Sequence, residues 1–195
     1  MDKKWLENQV KNLNLEKNIE LQDIPEIDLY MDQLITLFEN KLSYSKRSAE
    51  DKLLTKTMIN NYTKDKVIMP AVKKKYTRDH IILMVLLYQF KSIISIGDIK
   101  ELFSIIKEEE HVDSDKLVAL FEAYQRCKEK EIDYFNLGIE KRIEEVHEQM
   151  KKINSTDESI ETVLLVFTLL EQAHYHKRLA EKIIDERIKN KTIDN

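Results

Sequence analysis

Apolar residues recur every three or four positions along most of this chain, and the places where that rhythm breaks mark its joints. Trp5, Leu6, Val10 and Leu13 predict a short amphipathic helix, followed by an irregular arm with scattered Leu15, Ile19 and Leu21. Ile24-Pro25 ends that arm, because the residue before a proline is biased away from the helical region. Ile27, Tyr30, Met31, Leu34, Phe38 and Leu42 then form one stripe, which predicts a helix from about Asp28 to Leu42. Ser43 to Asp51 is polar and reads as a loop, with Ser48 and Asp51 spaced to cap the next helix. From about Leu53 to Thr63 the apolar face is Leu54, Met58, Ile59 and Tyr62. The run from Lys66 to Tyr76 sets β-branched residues around a proline and a lysine triplet. It predicts a short β-hairpin with Lys73, Lys74 and Lys75 near its tip.

Thr77 caps the next helix, which runs to about Lys91. Its interior, Ile81 to Phe90, is apolar nearly all round and is expected to be a buried central helix. Ser95 and Asp98 form a capping box that opens a helix with Ile96, Ile99, Leu102, Phe103 and Ile106 on its inner side. The acidic run Glu108-Glu109-Glu110 reads as the edge of this domain. Two long helices follow. Ser114 caps the first, about 115–153, whose seam is Ile132, Phe135, Ile139, Ile143, Val146, Met150 and Ile153. Asn154-Ser155-Thr156 is the turn, and Ser155 with Glu158 is a second capping box. The last helix, about 157–189, is expected to bury Ile160, Val163, Leu164, Phe167, Leu170, Ile183 and Ile184. A short turn between long helices means an antiparallel hairpin. Its surplus apolar surface must pack on another chain or on the first domain. The expected fold is mainly α, in three parts: an arm over 1–24, a domain over 25–110 and a helical hairpin over 111–195.

Composition supports that class. Two glycines and two prolines among 195 residues, with 35 % charged residues, favour long helices over strands and turns. The single cysteine, Cys127, leaves no internal disulfide and no multi-cysteine zinc site within one chain, which suits a reducing cytoplasm. The longest uninterrupted apolar run, Ile81 to Tyr88, is far short of the roughly 20 residues a bilayer needs, so no membrane association is expected.

Charge changes the picture more. Between Lys52 and Arg78 stand eight Lys/Arg against one acid, Asp65, whereas the whole chain carries −4. Basic charge gathered into one folded segment is the footprint of a phosphate-binding surface. On the helix 53–64 the outward residues are Lys56, Thr57, Asn60, Asn61 and Lys64, a cationic and amide-rich face. Asn can pair with adenine in a bidentate fashion, and Lys can contact guanine or phosphate. The expected base contacts are Lys56, Thr57, Asn60 and Asn61. The expected phosphate contacts are Lys64, Lys66, Lys73, Lys74, Lys75 and Arg78.

The stretch 53–103 resembles the MerR-type winged helix–turn–helix. The residues that carry this are Tyr62, Val67-Ile68-Met69-Pro70, Lys74-Lys75-Tyr76, the helix from Thr77, and Ser95-Ile96-Gly97-Asp98-Ile99-Lys100. Asn60 and Asn61 stand where that pattern has Arg and Tyr, and Lys66 stands where it has a turn glycine. The run from Ile24 to Phe103 is closer to the bacterial domain of unknown function 1836 family. That resemblance rests on Leu29-Tyr30-Met31-Asp32-Gln33, on Leu54 to Tyr62 with its Thr-Met-Ile-Asn-Asn-Tyr core, and on Lys73-Lys74-Lys75-Tyr76. It implies a DNA-binding regulator of Gram-positive bacteria with no known reaction.

Two Glu-x-x-His pairs, Glu144/His147 and Glu171/His174, have the spacing that di-iron helical bundles use. Folding the hairpin about residue 155 sets His147 opposite about 162, so the pairs lie ~18 Å apart and cannot share one metal within a chain. No metal or other cofactor is expected. Neither a glycine-rich phosphate loop nor a nucleophile elbow is present, and no enzymatic activity is expected. The function expected is a cytoplasmic repressor that binds double-stranded DNA sequence-specifically, as a homodimer through its C-terminal helices. The rival is a protein-interaction module whose basic face docks an acidic partner. No effector ligand can be read from the sequence.

Overall fold

The computed structural model describes residues 2–108 and 111–190, so Glu109 and Glu110 of the expected acidic boundary lie outside the described residues. The protein is mainly α-helical. It divides into two compact units, one of residues 17–126 with 181–190, the other of residues 2–16 with 127–180. These units are cut at 16/17 and 126/127, not at 24/25 and 110/111. The reason is burial. Ile19 of the arm and Leu117 and Phe121 beyond the acidic run are fully enclosed in the core of the larger unit.

The larger unit begins with β1 (Leu29–Tyr30) and α2 (Met31–Leu42), which buries Leu34, Phe38 and Leu42. Next come α3 (Lys56–Lys64), β2 (Lys75–Tyr76), α4 (Arg78–Phe90) and α5 (Ile96–Ser104). The centre is α4, where every residue from His80 to Leu87 is buried, as its unbroken apolar run predicts. His80 is the polar member of that run. Its Nδ1 takes the backbone N–H of Thr77 at 3.2 Å, and its Nε2 reaches the carbonyl of Pro70 at 3.1 Å. One acceptor and one donor nitrogen make a neutral imidazole. Burial pushes its pKa down, against the pull of the hydrogen bond to the Pro70 carbonyl and of the Asp79 charge.

Three local expectations are corrected. Leu53 and Leu54 are buried but precede α3, because Thr55 is its cap and takes the N–H of Met58 at 3.1 Å. Asp51 closes the preceding loop instead, accepting from Arg47 and Ser48. The segment 66–76 is not a regular hairpin. Val67 and Ile68 both donate to the carbonyl of Tyr62, which commits their N–H groups to ending α3, and Pro70 has none to give. Only Val72 and Lys75 bridge one another, and β2 pairs antiparallel with β1, Leu29 opposite Tyr76. Past α5, Lys107–Glu108 (β3) pairs antiparallel with His111–Val112 (β4), so a strand pair stands where the end of a domain was expected.

Ser95 caps α5 as its motif predicts, taking the N–H of Asp98 at 3.0 Å. A π-helical turn, Ile184–Lys189, lies against α5, and Lys189 reaches both Asp98 and Asp185 at 2.8 Å. The ammonium of Lys189 and the hydroxyl of Ser95 hold the Asp98 carboxyl below the usual range. The long helix α6 (Ser114–Lys152) starts in this unit. Its cap is Asp113, which accepts from Lys116, while Ser114 donates its hydroxyl to Asp79.

The smaller unit contains α1 (Lys3–Asn12), α6 from 127 onward and most of α7 (Glu158–Ile183). Val146, Met150 and Leu165 form its buried cluster, with Leu6 of α1 packed on them. Asn154 closes α6 in the left-handed conformation, at φ 52°, and Ser155 donates back to Met150. Asp157, not Ser155, caps α7, accepting from Ser159 at 2.8 Å. His147 meets Glu161 at 3.2 Å, one position from the register expected for the hairpin. The larger correction concerns burial on α7. Leu165 and Ile184 are buried, but Ile160, Val163, Phe167, Leu170 and Ile183 are exposed. Phe135 and Ile153 of the expected α6 seam are exposed as well. Within this unit α6 covers only the Glu161–Leu165 side of α7, and an apolar helix has two sides.

Candidate nucleic-acid interface

Helix α3 is held by its inner face. Ile59 and Tyr62 are buried, and Thr55 fixes the first turn. With that side inward, Lys56, Thr57, Asn60, Asn61 and Lys64 all come out exposed. The helix ends in a Schellman arrangement in which Lys66 donates to Thr63 and Val67 to Tyr62. Lys66 sits at the left-handed position of that motif, with φ 59°. A side chain there costs ~1–2 kcal/mol that glycine would not.

The lysine triplet shows the same feature twice. Lys73 and Lys74 have φ of 50° and 66°, and Val72 and Lys75 exchange two hydrogen bonds of 2.9 Å across them. This is a type I′ turn, the geometry that Asn-Gly adopts without strain. Both lysines are exposed and Lys75 is half-buried. Lys75 places its ammonium 5.2 Å from the centre of the Tyr30 ring, and Tyr30 is itself 53 % exposed. Two residues on, Asp32 meets Lys56 at 2.7 Å. Tyr30 and Asp32, at the start of α2, therefore connect the first turn of α3 to the lysine turn. Both partners of the Asp32–Lys56 pair are well exposed, so it is worth only ~0.2–1 kcal/mol and opens readily.

At the other end of α3, Lys64 and Lys66 line a shallow cleft with Asp65, Val67, Ile96, Gly97 and Lys100. Lys100 extends the basic surface onto α5, beyond the phosphate contacts expected from the sequence. Its signal lies in the periodicity, since Ile99 is an inward position and the next residue points away. Beneath, Lys107 donates to the carbonyl of Val67 and lies over the Phe103 ring at 5.6 Å. Burial, with the nearby charge of Lys100, pushes the Lys107 ammonium down to about 8.

Arg78 differs from the other predicted contacts. It lines a separate cleft with Glu26, Asp28, Asp79, Asp115 and Glu122, and its Nε is buried without a hydrogen-bond partner. A cleft lined by five carboxylates makes poor surroundings for a phosphate. The Glu-x-x-His pairs are not gathered either, since His147 meets Glu161. Among the described residues no group of three or more His, Cys, Asp or Glu could hold a metal ion. Among them, too, no helix is long and apolar enough to cross a membrane.

A family model described as "Domain of unknown function (DUF1836)" matches residues 19–127. That span runs from the buried Ile19 of the arm to the early turns of α6, and so takes in the whole basic surface. No curated protein and no solved structure matches the chain.

Proposed function

The chain belongs to the DUF1836 family, and from that premise we propose that it is a transcription regulator, a repressor that binds double-stranded DNA sequence-specifically as a homodimer. In this reading the basic segment works as a MerR-like winged helix–turn–helix. Helix α3 enters the major groove, with Lys56, Thr57, Asn60 and Asn61 at the base edges. Lys64, Lys66, Lys73, Lys74 and Lys75 hold phosphates, with Lys100 beside them. Arg78 is left out because of the carboxylates around it. A two-fold dimer reads inverted half-sites, so the operator is a palindrome.

The observation that carries the reading is the Lys73–Lys74 turn beside the exposed row of α3. Two lysines occupy backbone positions where they are strained. Stability alone favours Asn-Gly there. Retaining cations at a structural cost is what phosphate binding requires, and it sits next to the amide-bearing helix face that base readout requires.

The test is fluorescence anisotropy of the full chain on DNA from its own upstream region and on scrambled DNA, titrated with salt. Selective binding whose log K falls linearly with log salt supports the regulator. Replacing Lys73, Lys74 and Lys75 with Ala lowers that slope by about 0.9 for each phosphate no longer neutralised. Asn60→Ala changes preference at one base position, by about 1–3 kcal/mol if the pairing is bidentate. Absence of binding to either DNA at low salt overturns the reading and turns the search to an acidic protein partner.

A further inference from the structure

We propose that Asp32 is a specificity-determining residue, which with Lys56 forms an acceptor–donor pair that reads a G·C base pair in the major groove. The proposal deepens the regulator reading and rests on it. Asp32 stands outside the basic segment, at the second position of α2. The side chain of Gln33 accepts the N–H of Tyr30 at 2.9 Å and fixes that first turn, while Leu34 and Phe38 turn the inner face of α2 into the core. The Asp32 side chain is left outside, 77 % exposed, with its carboxylate 2.7 Å from the ammonium of Lys56. Lys56 opens α3 and lies one turn before Asn60, on the row expected at the base edges. Two residues before Asp32, Tyr30 holds the ammonium of Lys75 at 5.2 Å from the centre of its ring. The pair thus stands between the base-reading row and the lysine turn.

Charge and hydrogen-bond chemistry identify the target. A surface that only held phosphates would gain nothing from an exposed carboxylate, which repels them and cancels the charge of its lysine. An acceptor fixed beside a donor is instead a pattern, and base edges are patterns. In the major groove guanine presents two acceptors, N7 and O6, and cytosine presents its N4 amino donor beside them. Lys56 has three N–H donors, so it reaches guanine without leaving Asp32. The carboxylate keeps lone pairs for the cytosine amino group. An A·T pair suits this arrangement less well, since it offers the lysine separated acceptors and sets the thymine methyl beside one of them. A phosphate offers Asp32 no donor at all. The carboxylate therefore penalises wrong sites as well as rewarding the right one, which raises specificity rather than affinity.

The test is selection of binding sites by the full chain from a pool of randomised DNA duplexes. The parent should return a motif with one G·C position in each half-site that depends on both residues. Asp32→Ala and Lys56→Met should each lower the preference at that position by roughly 10-fold. The double variant should lose no more than either single one, because the two side chains act as one reader. Anisotropy on scrambled DNA separates this role from a structural one. There Asp32→Ala should bind about 2- to 5-fold tighter, as the released lysine reaches a phosphate, with a salt slope steeper by about 0.9 and the far-ultraviolet circular dichroism unchanged. A motif unchanged by Asp32→Ala, or altered at a position that Lys56→Met leaves alone, overturns the proposal while the regulator stands. Equal tightening on selected and scrambled DNA makes Asp32 a general brake on binding and overturns it as well. A parent chain that returns no motif overturns the regulator reading itself, and this proposal with it.

Discussion

Helix α4 and the 163–170 stretch of α7 are alike in being apolar nearly all round, and they meet opposite fates. Every residue from His80 to Leu87 of α4 is buried, whereas α7 buries only Glu161 and Leu165 in its regular span. The difference lies in the neighbours. Side chains of α2, α3, α5, α6 and the arm all join the core in which α4 sits. In its own unit α7 has the α6–α1 cluster on one side. Apolar character states that a surface is to be covered; the number of neighbours states whether this chain covers it alone.

The sharpest way to break that contrast is truncation on each helix. Leu83→Ala in α4 should cost about 2–5 kcal/mol of unfolding free energy, the range for a fully buried leucine. Phe167→Ala, measured by urea unfolding at a concentration that keeps the chain monomeric, should stay within about 0.5 kcal/mol of the parent, as exposed positions do. Equal costs would mean that α7 is covered within its own chain.

The polar member of the buried run gives a second, smaller test. His80 has its pKa lowered by burial, so its folded value lies below its unfolded one. The neutral form contributes stability that is present above the ordinary imidazole value near 6.5 and lost as pH falls through the folded value. Stability should therefore fall as pH drops from the ordinary imidazole value toward the lower folded one, by at most about 1.4 kcal/mol per pH unit from this group, as denaturation midpoints would record. His80→Gln should flatten that part of the profile. If the slope is unchanged, another group carries it.

The same opposition between satisfied and unsatisfied positions appears in the backbone. Lys73→Asn with Lys74→Gly should stabilise the fold by about 1–2 kcal/mol, since both positions are left-handed. It should also weaken DNA binding and lower the salt slope by about 0.9 per phosphate released. A gain in stability with binding undiminished would remove the argument that the lysines are kept for phosphates. Lys66→Gly should give the smallest effect, a gain of about 1 kcal/mol at the Schellman position of α3.

How much was legible depended on how local the choice was. The Ser95 cap and the core of α4 followed from residues a few positions apart. The start of α3 did not, because Ser48 and Thr55 both offer a cap and only the burial of Leu53 and Leu54 favours the later one. The lysine turn was expected at its residues, but its strand was given the wrong partner. Leu29–Tyr30 lies more than forty residues upstream of Lys75–Tyr76, and nothing in either dipeptide names the other. In the candidate interface the exposed row of α3 and the outward place of Lys100 were readable from periodicity, the left-handed lysines were not, and the carboxylates that share a cleft with Arg78 come from three separate segments.

The linear pattern of residues sets the helical class, most helix ends, the central place of α4 and the outward row Lys56, Thr57, Asn60, Asn61 and Lys64. Each of these is set by hydrogen bonds and side-chain neighbours three or four residues apart, which a linear pattern records. Long-range packing sets the pairing of β1 with β2, the return of Lys189 to Asp98, the company of Arg78 and the side of α7 left bare. Those depend on which surfaces distant segments present to one another, and a single helix with two apolar sides cannot encode which of them its own chain will reach.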